Sequence, residues 1–282
     1  IDVDELIDTV SGASWGWVLV ALVLAQVARL GNAVALLGSS MHQIRFVPAV
    51  HLQFATTFIN LAIPSSAARM ASNVRFAQKS GLTSAEAVTV GAVNSVTGFI
   101  VQITLILLVV LAGAGSDQLG LSDDLDGGAL RLVAVIAVLA VVAIAIVAAV
   151  PKLRARVMPY VTQARDAGQV LRSPRRLALL IGGNTFTEVT FSLAILCCVN
   201  AYGGSISLAS VIFVNEVVAI FAGLMPVPGG IGVTEAALTA ALVAVGVPED
   251  QAFAAAITYR ICSFYLPPLW GYLSLRWLRR HD

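Results

Sequence analysis

The sequence predicts an all-α polytopic membrane protein with about five spanning helices and two re-entrant helical hairpins in an inverted-repeat arrangement. Three observations lead there: long apolar segments, basic and acidic residues segregated into different loops, and two apolar segments that each run into a proline. Hydrophobic residues make up 58% of the 282 and charged residues only 12%, with a mean hydropathy of +0.89. An ordinary soluble domain of this length does not have that balance. The net charge of +1 carries no nucleic-acid footprint, so no nucleic-acid partner is expected.

Taken in order, Ile1–Val10 is acidic and amphipathic, unlike a signal peptide. With no methionine at the start, it reads as part of a longer chain. A span needs about 20 apolar residues, and such segments fall at roughly 15–38, 84–112, 130–150, 177–200 and 250–276. Residues 48–63 run into Pro64 and residues 207–225 into Pro226, followed by shorter helical stretches at about 65–80 and 229–246. Lipid tolerates broken backbone only where protein or a water-filled cavity covers it. Each pair therefore reads as a re-entrant hairpin, with two short spans as the alternative. Cys197, Cys198 and Cys262 lie in apolar stretches without metal or disulfide spacing. The four tryptophans read as interface anchors and His51 as an interior histidine, while Pro267-Pro268 kinks the last span.

Loop charge orients the chain, because Lys and Arg accumulate in short cytoplasmic loops. The 151–176 linker carries Lys152, Arg154, Arg156, Arg165, Arg172, Arg175 and Arg176 against Asp166. The tail carries Arg276, Arg279 and Arg280, whereas 113–129 carries Asp117, Asp123, Asp124 and Asp126 and no base. Five crossings and two hairpins place every loop on its expected side, with the C-terminus cytoplasmic. Phe58–Pro64 resembles Phe221–Pro228, and Gly81–Ala87 resembles Gly246–Ala252. One transmembrane domain then spans 1–282: a first repeat at about 15–112, a linking helix and basic loop at 113–176, and a second repeat at about 177–276. The two copies enter from opposite sides, and inverted repeats with broken helices are a transporter architecture.

Two return helices would begin at membrane depth, one near Ser65 and one near Gly229, converging their positive ends on an anion. Gly229, Gly230 and Gly232 would admit an anionic group close to the backbone. Charge at depth is expensive and marks function or pairing. On that ground Arg69, Arg75 and Arg260 are candidate phosphate ligands, and Glu188 (in the span with Asn184), Glu216 and Glu235 are candidate partners for Arg260, a proton or an ammonium headgroup. Weighed against these, Arg75 and Lys79 could snorkel to the surface, Glu235 and Arg260 could form a structural salt bridge, and Arg29 reads as an interfacial anchor.

The run Pro226-Val-Pro-Gly-Gly-Ile-Gly-Val-Thr-Glu235, with Gly246, Ala254-Ala255-Ala256, Arg260, Pro267 and Gly271, resembles the closing signature of the lysylphosphatidylglycerol synthase transmembrane, or flippase-like, family. That family includes the membrane flippase domain of the bacterial multiple peptide resistance factor. The resemblance implies translocation of an anionic phospholipid, an aminoacyl-phospholipid or a polyprenyl-phosphate lipid. The first copy departs from the family pattern: Pro64 is followed by Ser65, Ser66, Ala67, Ala68 and Arg69 where a glycine and an acid are usual, and Asn94-Ser95 stand where a Glu-Arg pair is common.

Three function classes follow. The first is a lipid flippase that binds a headgroup near the bilayer midplane, with a homo-oligomer compatible. The second is a non-transporting scaffold that anchors an upstream soluble domain. The third is an intramembrane enzyme, against which the sequence offers no Glu-Glu dyad, no G-x-S-G, no H-E-x-x-H and no His or Asp metal set. No catalytic residue, cofactor or metal is expected, and no nucleotide-phosphate loop is found.

Overall fold

A computed structural model describes residues 12–40, 44–62, 76, 78, 82–112, 173–224 and 227–280, which form helices joined by turns, with no strand among them. The helices are α1 (Trp15–Ser39), α2 (Phe46–Ala62), α3 (Ser84–Leu111), α4 (Pro174–Ala201), α5 (Leu208–Leu224), α6 (Val233–Ala244), α7 (Glu249–Arg260) and α8 (Pro268–Arg280). A 3-10 turn, Pro228–Gly230, precedes α6, and a π turn, Ile261–Tyr265, joins α7 to α8. α1, α3 and α4 are long and apolar enough to cross a membrane. The span expected at 130–150 and the return helix expected at 65–80 lie outside the described residues, apart from helical Phe76 and Gln78.

Local chemistry accounts for the ends. α3 opens on a capping box: Thr83 Oγ1 accepts from the Glu86 amide while the Glu86 carboxylate accepts from the Thr83 amide. α4 opens with Ser173 at the N-cap and Pro174 in the first turn, where a missing N–H costs nothing. The expected span at 250–276 is divided. At the π turn the Leu266 amide returns to Ile261 O at 2.9 Å, and Pro267 and Pro268 supply no amide to continue the ladder.

Helix packing depends on absent side chains, as expected where lipid removes the hydrophobic drive between helices. Ala21, Ala25, Ala28, Ala35 and Gly38 form a buried small-residue stripe on α1, against α4. A Cβ on Gly183 of α4 would sit 2.5 Å from the Ala35 amide nitrogen, and one on Gly38 would sit 2.5 Å from the Leu180 amide nitrogen. Thr187 Oγ1 donates across this seam to Ala28 O at 3.2 Å. α8 lies on α2 by the same device: Gly271 faces Phe54 O, His51 stacks on Trp277 with centroids 4.0 Å apart, and Phe58 meets Tyr272. Leu19, Val23, Phe99, Ile100, Leu108, Leu111, Leu269 and Leu273 are all more than half exposed. That apolar belt suits contact with acyl chains.

Candidate functional site

The Pro-Gly segment does not start a helix at Gly229. Gly229, Gly230 and Gly232 have φ of +66°, +63° and +80°, a left-handed conformation incompatible with the α-helix, so α6 begins only at Val233. A Cβ on Gly229 would lie 2.6 Å from Phe264 Cζ, and one on Gly230 would meet the Thr234 hydroxyl. The space beside Gly229 is therefore filled by an aromatic ring, not left open for an anion. The Gly232 amide is also engaged, donating to Glu235 Oε2 at 2.8 Å.

Glu235 is the hub of this corner. Its Oε1 receives Arg260 Nε at 2.9 Å and the Tyr265 hydroxyl at 2.7 Å. Arg260 continues to Gly229 O through Nη2 at 2.9 Å and lies over the Phe264 ring, 4.2 Å from its centroid. Glu235 and Arg260 are both buried, at 7% exposure each. The structure therefore contains the Glu235–Arg260 pair, and that pair ties the break to the α7–α8 bend.

Arg29 departs from the sequence reading. It is not a surface anchor: Nη2 donates to Ser263 O, and Nε is buried with no partner. The cause lies in the last span. Pro267 has no N–H to return to Ser263 O, and the Leu266 amide is diverted to Ile261 O. Side chains of α1 satisfy the freed carbonyls: Arg29 takes Ser263 O, and Gln26 Nε2 takes Cys262 O at 2.9 Å, with Trp270 Nε1 donating to Gln26 Oε1. Arg29 forms no ion pair with a described carboxylate.

Arg29 and Arg260 line one cavity of about 210 Å³ between α1, α4, α5, α6, α7 and the π turn. Asn215, Thr234, Tyr259 and Ser263 provide further polar lining, with Phe191, Ile195, Val218, Leu238 and Phe264 as apolar walls. Two guanidiniums, an amide and three hydroxyls against an apolar wall form a donor-rich pocket suited to an anionic oxygen group. Among the described residues no group of three or more His, Cys, Asp or Glu side chains could hold a metal.

The remaining sequence candidates are dispersed. Ser65, Arg69 and Arg75 lie outside the described residues. Gly229 and Glu235 stand behind the cavity through Arg260, while Gly230 and Gly232 shape the turn. Glu188 and Glu216 do not line the cavity. Glu188 accepts from Asn215 Nδ2 at 3.4 Å, and Glu216 is fully buried. Asn184, expected beside Glu188, is turned toward Asn94 and Leu180 O. Sequence reasoning missed Asn215, Thr234, Tyr259 and Ser263 and misread Arg29, although one signal was available. Arg29 stands ten residues before the end of α1, about 15 Å along the helix, too deep for a simple anchor.

No curated protein matches the chain. The family model described as the lysylphosphatidylglycerol synthase TM region matches residues 1–271, nearly the whole length, and covers the break, the cavity and the π turn together. The chain belongs to the lysylphosphatidylglycerol synthase transmembrane-region family.

Proposed function

We propose that this protein moves an anionic, phosphate-bearing lipid between leaflets, holding the headgroup in the cavity lined by Arg29 and Arg260. The observation that carries the reading is Arg29: a guanidinium in the interior of a membrane helix with no carboxylate partner among the described residues, facing a cavity of headgroup size. A charge in that position calls for a counter-charge, and a lipid phosphate supplies one. Arg260 is neutralised by Glu235, so the pair contributes directed donors and rigidity while Arg29 contributes the net charge. One charge selects a monoanion, which fits phosphatidylglycerol-like lipids, whether plain or bearing an aminoacyl group, and polyprenyl phosphates at the same subsite.

In this reading α2 and α5 are the outer arms of two re-entrant hairpins that enter from opposite faces, with the C-terminus cytoplasmic in a bacterial inner membrane. α2 reaches the Pro228–Gly230 turn, which supports a site shared by the two repeats. Alternating exposure of a site between two repeats is how such architectures transport. Headgroup binding and movement involve no covalent step, so the protein acts as a translocator and not as an enzyme, and a soluble domain elsewhere in a longer parent chain would make any aminoacyl lipid.

The test is reconstitution in vesicles containing trace fluorescent phosphatidylglycerol or phosphatidylcholine, with leaflet access followed by a membrane-impermeant quencher. Wild type should move the anionic reporter faster than the zwitterionic one. Arg29→Gln, checked for native thermal stability, should lose most of that preference, and Arg69→Ala tests the first repeat. Equal rates for both lipids, unchanged by Arg29→Gln, would refute the site. No lipid movement by stable wild-type protein would favour the scaffold reading.

A further inference from the structure

Glu216, on α5, has 0% exposure, and neither carboxylate oxygen has a hydrogen-bond partner among the described residues. A naked carboxylate is among the most expensive groups to bury. The surroundings of Glu216 add to the cost. From α4 comes a second carboxylate, Glu188, near enough to repel it. Asn215, next along α5, lies beside both groups and gives its amide to Glu188 at 3.4 Å, and Gln102 of α3 also approaches Glu188. α6 brings Glu235, whose charge is taken up by Arg260, while α7 brings Tyr259 near Glu188. No described base pairs with Glu188 or Glu216.

We propose that Glu216 binds a proton that crosses the membrane together with the anionic headgroup, making translocation proton-coupled. This rests on the anion-cavity reading above and adds its driving ion. Two adjacent buried carboxyls without a base favour sharing at least one proton between them. A metal cation such as sodium would need several oxygen ligands, and Asn215 turns a donor toward the pair instead. The link to the lipid is Asn215, which lines the cavity on one side and holds Glu188 on the other. A headgroup that draws on the Asn215 amide removes a donor from Glu188 and strengthens the pair's hold on the proton. Glu216 takes the proton from water on the side where the headgroup enters and releases it to water on the other side. No bond of the lipid is made or broken, and one proton crosses with one negative charge.

The full chain is reconstituted in phosphatidylcholine vesicles carrying trace fluorescent phosphatidylglycerol, with the membrane potential clamped to zero. One-for-one coupling makes a gradient of one pH unit bias the reporter between leaflets by up to about tenfold. Glu216→Gln, which keeps the shape of the neutral acid, abolishes that bias. A wild type indifferent to the pH gradient, a bias retained by Glu216→Gln, or a response to a sodium gradient instead would each overturn the proposal. An infrared measurement decides the proton site independently of transport: wild type at neutral pH should show a buried protonated-carboxyl band that Glu216→Gln lacks. Absence of the band from wild type overturns the proton site. With the band present and no lipid movement, the proton site stands and the translocation reading falls.

Discussion

Removing Arg260 should reveal how strongly the break at 228–232 is tied to the bend at 261–265. Arg260→Met deletes the ion pair to Glu235, the bond to Gly229 O and the stacking on Phe264, while retaining apolar volume. Breaking a buried pair by removing one partner costs about 3–5 kcal/mol, because the other charge is left uncompensated. Here Glu235 keeps the Tyr265 hydroxyl and the Gly232 amide, so the lower end, about 3 kcal/mol, is expected. Glu235→Gln retains an acceptor and leaves Arg260 with Gly229 O and the ring, so about 2 kcal/mol is expected. Once one charge is gone the other contributes little, and the double variant should lie about 2 kcal/mol short of the sum. The assay is equilibrium unfolding in mixed detergent micelles, run as a double-mutant cycle. Single-variant costs that add within about 0.5 kcal/mol would refute the idea that the pair clamps the two breaks.

Gly229→Ala should cost about 1–2 kcal/mol for its left-handed backbone plus the displacement of Phe264, and Phe264→Ala in that background should recover only the steric part, read by the same unfolding assay. Gly183→Val drives a side chain into the α1 backbone at Ala35 and should abolish the native fold, seen as loss of the monodisperse peak in size-exclusion chromatography; a stable Gly183→Val protein would contradict the α1–α4 seam. Thr83→Ala removes the cap of α3 and should cost about 1 kcal/mol with no change in lipid movement, since the cap is exposed and on a helix that does not line the cavity.

Much of the framework was legible from composition alone. The spans expected at 15–38, 84–112 and 177–200 correspond to Trp15–Ser39, Ser84–Leu111 and Pro174–Ala201, because the hydropathy of an apolar run acts within a few residues of where it is read. The prolines read as breaks at 64 and 226 lie outside the described residues. The start of α6 was less legible. Three glycines signalled a break, but only their positive φ values show that helix is excluded as far as Gly232. Arg260 was flagged from its depth in an apolar segment, and Glu235 from its place in the motif. The sequence also offered Glu235 and Arg260 as a structural salt bridge, and the structure contains that pair.

By itself, then, the sequence determined an all-helical membrane protein, the extent of its long helices and the positions where the backbone must break. Those outcomes follow from short-range rules: the length of an apolar run, the geometry of a cap, the amide that proline lacks. Only the tertiary structure decided that the carbonyls freed at Cys262 and Ser263 are met by Gln26 and Arg29, more than 230 residues away in the chain. It also decided that Arg29 and Arg260 face one cavity while Glu216 is sealed behind it. Such placements depend on which small-residue faces let helices approach, and that complementarity exists only once the helices are side by side.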